Sequence, residues 1–508
     1  MTALLFISLL AFFIQQPYLN EFPSFIHAWT QSDNYALALG FLDNGLDLFH
    51  PQMMLYNKGS LIADNTITAV DFPLHQWLAA LWMFLLGVTE PWVFRLWTTL
   101  IAIGGTYCTY RAACLATRSK PMAMMCAVIF LSAPSLAYYF SGFIPTVPAL
   151  SCMAAALWAF LSYTESHRPR WFIVSLALAT LSTLMRASFA VALAALLVFE
   201  ALRILHRDVR LSAFHACVIL AVLCIVAYRI WYHHLATTYG SAFLNRLMPA
   251  RSLDEVSYIL HDMKQRWLYH YFSRFHYLVM TVCTLLAIGY AIVHRLRHQH
   301  VAREYSLSLW YLVAIWLMGE CCFFVAMMRQ YCDHDYYFLD TFFLPILFAF
   351  MLVLRTLPVA PPRWGGVVAT AVVLLFSAWS VRDARIMQQQ RRTEGTATVT
   401  TIEHYRQASQ LLDSLSIPSD ATILCLLSYP PQTPFILMHR KGISVINSHH
   451  DEIVRAYRAP FDYVVIENQN FLKYYDTLLD DLARLRPIGS NGHITVCTLS
   501  DTAAIHSL

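Results

Sequence analysis

Apolar runs close to the length of a membrane-crossing helix, each closed by a short polar or basic turn, fill the first three quarters of this chain. They are residues 3–19, 93–115, 122–139, 145–163, 171–185, 187–205, 211–232, 277–293, 308–327, 338–356 and 364–381. A crossing helix needs roughly 20 apolar residues; several of these runs are shorter, and 171–185 is the weakest. Basic clusters separate them at Arg118 to Lys120, His167 to Arg170, Arg203 to Arg210, His294 to Arg303 and Arg355 to Arg363. Short loops rich in Lys and Arg stay on the cytoplasmic side, and eleven spans put every one of these clusters there. The same count places the N-terminus inside. It puts the loop 15–91, the turns at 141–146 and 184–188, the loop 233–276, the segment 329–337 and the C-terminal region outside.

Two runs need separate treatment. Residues 73–88 are apolar enough to span, yet counting them would reverse the side of the basic clusters. Their Trp content suits a helix lying in the membrane interface. The first run lacks a basic leader and a small-residue cleavage site, so it reads as a retained helix rather than a signal peptide.

The pattern changes after Ser380. Residues 1–381 read as the membrane domain, with a long first outer loop over 20–92, and the polar stretch 382–400 reads as a linker. Residues 401–508 then read as a small extracytoplasmic α/β domain. A helical face over 402–415 (Ile402, Tyr405, Ala408, Leu411, Leu412, Leu415) is followed by strands at 422–428, 461–466 and 493–499, with a helix over 473–485. With no glycine-rich phosphate loop between strand and helix, this domain is expected to shape or cap a site rather than perform chemistry.

Composition agrees with the pattern. Hydrophobic residues make up 58% of the chain and charged residues 13%, against roughly 25% charged in a soluble domain. Most of the 12 cysteines lie in apolar runs, where they pack as small hydrophobes. Cys425 and Cys497 both fall in strand-like runs of the outer domain, either as a bridge or as two buried thiols. No CxxC or His-x-x-x-His spacing supports a structural zinc.

Polar residues gather in four places on the outer side. The loop after the first run holds His27, Gln31 and Asp33, then Asp43, Asp47 and His50. Asp71 opens Asp71-Phe-Pro-Leu74, where it is either a functional carboxylate or the cap of the following helix. Arg186 lies between two apolar runs and either snorkels to the surface or holds a phosphate with its forked donors. Cys332-Asp-His334-Asp335-Tyr336-Tyr337 directly precedes an apolar run; the tyrosines alone suit an aromatic belt, while the His-Asp pair is harder to explain as one. Asp33 is either a solvated loop residue or, as a carboxylate beside a membrane span, a functional one.

These stretches together resemble the GT-C superfamily of membrane glycosyltransferases, nearest to the bacterial branch with the lipid A aminoarabinose transferases and relatives of the protein O-mannosyltransferases. Trp29-Thr-Gln31-Ser-Asp33-Asn-Tyr35 is similar to the family's acidic motif after helix one, which makes Asp33 the counterpart of its catalytic aspartate. Asp71-Phe-Pro73-Leu74-His-Gln-Trp77 resembles a second motif, and His334 to Tyr337 followed by Pro345 a third. Three departures stand out. Thr146 occupies the place where many relatives carry an acid before a proline, which bears on whether this copy is active. Arg186 stands where relatives often have Lys. Asp71-Phe-Pro-Leu replaces the Lys-Pro-Pro-Leu of aminoarabinose transferases, which argues against the same donor headgroup.

The resemblance implies a polytopic α-helical GT-C fold of about 11 spans, carrying the α/β domain outside a bacterial inner membrane. It implies transfer, with inversion, of a sugar from a polyprenyl-phosphate donor to a lipid, glycan or protein acceptor. Asp33 would act as base, Arg186 would stabilise the departing phosphate, and His334, Asp335, Tyr336 and Tyr337 would hold phosphate or sugar, all converging on one outer cavity. His27, Gln31 and Asp71 complete the expected substrate-binding set. No cofactor is required, a divalent metal ion at Asp33 is compatible with the motif, and membrane lipids rather than nucleic acid are the expected surroundings. The rivals are a transporter or lipid flippase, which calls for ionisable residues in mid-span (Glu320 is the clearest here), and an envelope glycan polymerase or ligase.

Overall fold

The computed structural model describes residues 1–56, 65–243, 246–296, 304–358, 362–474 and 478–499. Parts of two basic clusters, 297–303 and 359–361, and the end of the C-terminal domain, 500–508, therefore lie outside the described residues. Two compact units divide the chain. One comprises Met1–Leu19, Arg95–Ile230 and Asn245–Gln390; the other comprises Asn20–Phe94, Trp231–Leu244 and Arg391–Leu508.

This division differs from the one expected. The first outer loop groups with the C-terminal residues, not with the membrane domain. The expected linker 382–400 is largely helical, entered by helix Pro362–Arg391 and followed by Thr396–Tyr405. Its polar residues have no apolar period, yet Gln388 and Arg391 are fully buried. Burial by tertiary partners overrides a pattern that reads as solvated.

Every expected span in the first unit is helical. Among the described residues six helices are long and apolar enough to cross a membrane: Thr146–Ser166, Ala187–Leu205, Ala213–Thr238, Arg274–Val293, Leu309–Asp333 and Gly366–Arg391. Thr2–Tyr18, Lys120–Ser132, Pro169–Met185 and Phe343–Arg355 are apolar but shorter. Two expected spans are broken. Pro134 cannot donate and clashes with the turn before it, so 122–139 becomes Lys120–Ser132 and Pro134–Tyr139 with Ala133 extended between them. Likewise 338–356 is a short helix Tyr336–Asp340, a break at Thr341 (φ −121°, ψ −86°), and Phe343–Arg355. The first run packs inside this unit: the Gln15 amide donates to the Ala137 carbonyl at 2.8 Å and accepts from Ser141 at 2.9 Å.

The second unit is built on a five-stranded sheet: β1 (Thr422–Leu426), β2 (Lys441–Val445), β3 (Tyr463–Glu467), β4 (Leu485–Ser490) and β5 (Ile494–Leu499). Their order is β2-β1-β3-β5-β4, parallel across β2, β1 and β3 and antiparallel from β3 through β5 to β4. The three strands with continuous apolar runs are the three interior ones. β2 and β4 lie at the edges, and Pro487 and Gly489 in β4 mask its strand character. The expected helix over 473–485 is replaced by Asn468–Tyr474, Leu479–Leu482 and the start of β4. The one over 402–415 breaks between Thr396–Tyr405 and Ala408–Ser414. Cys425 and Cys497 are free and buried. They sit on β1 and β5 with β3 between, roughly 10 Å apart at ~4.8 Å per strand, beyond disulfide reach.

The outer segment folds onto this sheet. Tyr56 N–H donates to the Gly442 carbonyl (2.8 Å) and Gly442 N–H to the Met54 carbonyl (3.1 Å), which covers the outer edge of β2. Helix Ala28–Asp43 packs so tightly on this segment that a Cβ at Gly40 would lie 2.1 Å from the Gln52 carbonyl oxygen. Helix Leu74–Leu86 covers the ambiguous run 73–88. At ~1.5 Å per residue it is about 20 Å long, short of the ~30 Å hydrocarbon layer, and Trp82, Phe84, Leu85 and Leu86 are exposed. Both features fit an interfacial helix.

Candidate functional site

Asp33 lies on a helix, not in a loop. The motif Trp29 to Tyr35 forms the first half of Ala28–Asp43, with His27 in the left-handed region (φ 54°) as its N-cap. The Gln31 amide turns back to the carbonyls of Ile26 (2.9 Å) and Ser24 (3.4 Å). It closes the loop leading into the helix. Asp33 is 5% exposed and is hydrogen-bonded to the Gln432 side chain, which follows β1. Trp29 meets the Tyr429 ring edge-on at 5.9 Å. Burial pushes the Asp33 carboxyl well above the usual aspartate range, and the Gln432 hydrogen bond pulls the other way. Burial and the neighbouring Asp33 also raise the Tyr429 phenol.

The second motif joins the first. The Gln76 amide donates to Asn34 Oδ1 at 2.5 Å, and the Trp77 indole donates to the Leu46 carbonyl at 2.7 Å. Asp71 is half-buried just before them. Helix Leu74–Leu86 starts from Pro73, which supplies no side-chain cap of its own. All of these residues belong to the second unit.

Arg186 and the stretch His334 to Tyr337 belong to the first unit, and each cluster stands within its own unit. The helix Pro169–Met185 ends at Arg186, whose extended backbone (φ −148°, ψ 109°) interrupts the run. Its guanidinium donates to one carboxylate oxygen of Asp340, through Nε at 3.0 Å and through an Nη2 N–H. Its carbon lies 5.5 Å from the Tyr336 ring centre and 5.6 Å from that of Tyr337. The helix Tyr336–Asp340 explains the set, since residues three and four apart share one face. Tyr336 and Tyr337 stack at 5.4 Å, and the His334 ring stands 5.2 Å from Tyr336.

Asp335 does something else. It is fully buried, and its two oxygens accept from Ser135 (2.5 Å) and Tyr139 (2.7 Å). A buried carboxylate so occupied ties Pro134–Tyr139 to Tyr336–Asp340. Thr146 is buried at the start of Thr146–Ser166, and its hydroxyl lacks a hydrogen-bond partner among the described residues. The acid of relatives is replaced by a group that can neither ionise nor bind a cation strongly.

Among the described residues no group of three or more His, Cys, Asp and Glu side chains is gathered for a metal ion. Asp33 has an amide and aromatic rings around it, whereas a divalent cation such as Mg²⁺ or Ca²⁺ takes about six oxygen ligands. Asp33 by itself supplies at most two of those oxygens.

Asp340 and Gln432 were not foreseen. Asp340 had a signal: a lone acid near the start of one apolar run and a lone arginine between two others, since buried charges are paired. Gln432 had none. It follows a strand assigned no chemistry, about four hundred positions from Asp33.

Comparison with known proteins agrees with this architecture. Residues 70–231 match the family model for dolichyl-phosphate-mannose-protein mannosyltransferase. A search of curated protein sequences gives no match. Among solved structures, ArnT from Cupriavidus metallidurans bound to undecaprenyl phosphate aligns over 97% of both chains with a TM-score of 0.59 at 12% identity. Its apo state gives 0.53 at 12% identity over 97% of this chain and 96% of that one. The Archaeoglobus fulgidus oligosaccharyltransferase in its apo form gives 0.53 at 12% identity, over 99% of this chain and 74% of its own. With its apolar helices and this correspondence along nearly its whole length, the chain is a multi-pass membrane protein that shares the fold of these solved membrane transferases.

Proposed function

We propose that this protein transfers a sugar from a polyprenyl-phosphate donor to an acceptor on the outer face of a bacterial inner membrane, with inversion. The proposal includes about eleven spans and a C-terminal domain outside. The observation that carries it is the state of Arg186. Asp340 engages two of its five N–H groups on one side, and two tyrosine rings flank its charge. A guanidinium held in this way suits a phosphate ester. The structural neighbour bound to undecaprenyl phosphate supports a polyprenyl phosphate as the lipid.

In this reading the Asp33 carboxylate takes the proton of the acceptor hydroxyl as its oxygen bonds to the anomeric carbon. The bond from that carbon to the phosphate oxygen breaks, and the electron pair leaves with the lipid phosphate. Arg186 stabilises the charge that develops there, while His334, Tyr336 and Tyr337 hold phosphate or sugar. Proteoliposomes loaded with a radiolabelled polyprenyl-phosphate sugar test this. Consumption of the donor with release of free polyprenyl phosphate is expected; intact donor appearing in the opposite leaflet assigns the protein to the flippases instead.

A pH profile tests the base. The ionised carboxylate is the active form, so kcat/KM falls as pH drops through the raised Asp33 value. Its acid limb therefore lies above the usual aspartate range of about 3.9. Gln432 favours the ionised form, so Gln432→Leu moves the limb to still higher pH and leaves the plateau rate largely intact. A limb that stays in place means another group titrates.

A further inference from the structure

Helix Ala28–Asp43 presents two faces within the second unit. At ~100° per residue, Asp33 and Tyr35 point to opposite sides. Tyr35, Leu39, Leu42 and Asp43 share a stripe that lines a cavity of about 720 Å³. Asp33 is not among its lining residues, so the cavity lies on the other side of the helix from it. Its facing wall comes from the C-terminal domain through Arg406, Asp420 and His439, and Glu90 lies at the helix side.

The lining has two components. Phe22 and Tyr56 are half-buried rings. Glu90, Arg406, Asp420 and His439 bring planar polar groups of both donor and acceptor type, and none of these four side chains makes a hydrogen bond or ion pair among the described residues. The frame around them is fastened. Lys441 pairs with Asp43 at 3.2 Å, while Arg440 holds Asp413 at 3.1 Å and the Ile417 carbonyl at 3.0 Å.

That mixture selects among ligands. An acyl tail would bury uncommitted charges at a large penalty. A simple anion would meet Arg406, with Arg440 and Lys441 already paired, but also the two carboxylates of Glu90 and Asp420. A polyhydroxylated ring supplies donors to Glu90 and Asp420, acceptors to Arg406 and His439, and an apolar face for the aromatic rings. The volume falls within the ~300–1,000 Å³ of small-ligand pockets.

We propose that this cavity is a saccharide-docking site, separate from Asp33, which grips the glycan of the acceptor. The purpose rests on the transferase reading above; the binding does not. The test is saturation-transfer NMR on the full chain in nanodiscs, with N,N′-diacetylchitobiose and maltose as probes. Wild type and Asp33→Asn should both transfer saturation to at least one disaccharide. The double substitution Arg406→Ala with Asp420→Asn, at exposed positions, should weaken the signal by about ten-fold, the equivalent of one hydrogen bond to a charged group. An unchanged melting temperature would show that the fold survives.

Silence from both disaccharides overturns the proposal, as does an unaltered signal in the double variant. Binding of the tripeptide Gly-Ser-Gly in place of the sugars overturns it in favour of a peptide acceptor. The two readings fail separately. Disaccharide binding without any consumption of lipid-linked sugar leaves the cavity assigned and removes the transferase; active transfer without disaccharide binding does the reverse.

Discussion

Asp33→Asn lowers the transfer rate by roughly 10²–10⁴-fold, the usual contribution of a positioned base, while the protein remains folded and membrane-inserted. The substitution isolates the proton-accepting role. Asparagine keeps the size of the side chain and an oxygen that can accept from Gln432, so packing against the loop after β1 persists. What disappears is a buried charge whose desolvation opposes folding, and the melting temperature should therefore stay level or rise. Initial rates on purified protein, measured beside thermal unfolding, separate the outcomes. Wild-type turnover in this variant removes Asp33 from the chemistry. A fall in rate together with a fall in stability recasts it as a packing residue.

How much of this was legible depended on the range of the interaction. The helices of the first unit follow from continuous apolar runs, because that signal is local and repeated. Their breaks at Ala133–Pro134 and Thr341 are less so: proline announces the first, and nothing local announces the second. Asp33 and Arg186 stood out because ionisable groups beside membrane spans need a reason to be there. Their partners did not. Gln432 is an ordinary glutamine after a buried strand, and only the fold of the second unit brings it to Asp33. Asp335 also has partners that the sequence does not announce. Its position in a dense polar motif suggested ligand contact, whereas Ser135 and Tyr139, some two hundred positions earlier, occupy it.

The same long-range logic changes the role of the C-terminal domain. No glycine-rich phosphate loop lies between strand and helix in its sequence, so in isolation it reads as a cap. In the structure the outer segment seals the β2 edge through Met54 and Tyr56, Glu21 pairs with Arg392 at 2.7 Å, and Thr398 accepts from Phe25 N–H at 2.9 Å. The domain thereby fixes the helix that bears Asp33 and sets the electrostatics of its carboxylate. Substitutions in the stretch Tyr429 to Gln432 should accordingly move catalytic parameters, although no residue there is a candidate nucleophile or base.

Arg186→Ala is expected to lower turnover by about 10²–10³-fold, the loss typical of a donor aimed at charge that develops in the transition state. Arg186→Lys should recover only part of this, since an ammonium keeps the charge but not the planar fork that meets carboxylate and phosphate together. The informative partner is Asp340. Its side chain is fully buried against an Arg186 that is 19% exposed, and removing one member of a buried pair typically destabilises by about 3–5 kcal/mol. Asp340→Asn should therefore lower the melting temperature and, in the fraction that remains folded, release the guanidinium from its place over Tyr336 and Tyr337. Rates normalised to folded protein then fall, with KM for the lipid donor rising more than for Arg186→Lys. A double-mutant cycle decides the matter. If Asp340 acts by holding Arg186, the pair Arg186→Ala with Asp340→Asn is no slower than Arg186→Ala alone; full additivity would mean that Asp340 serves some other part of the first unit.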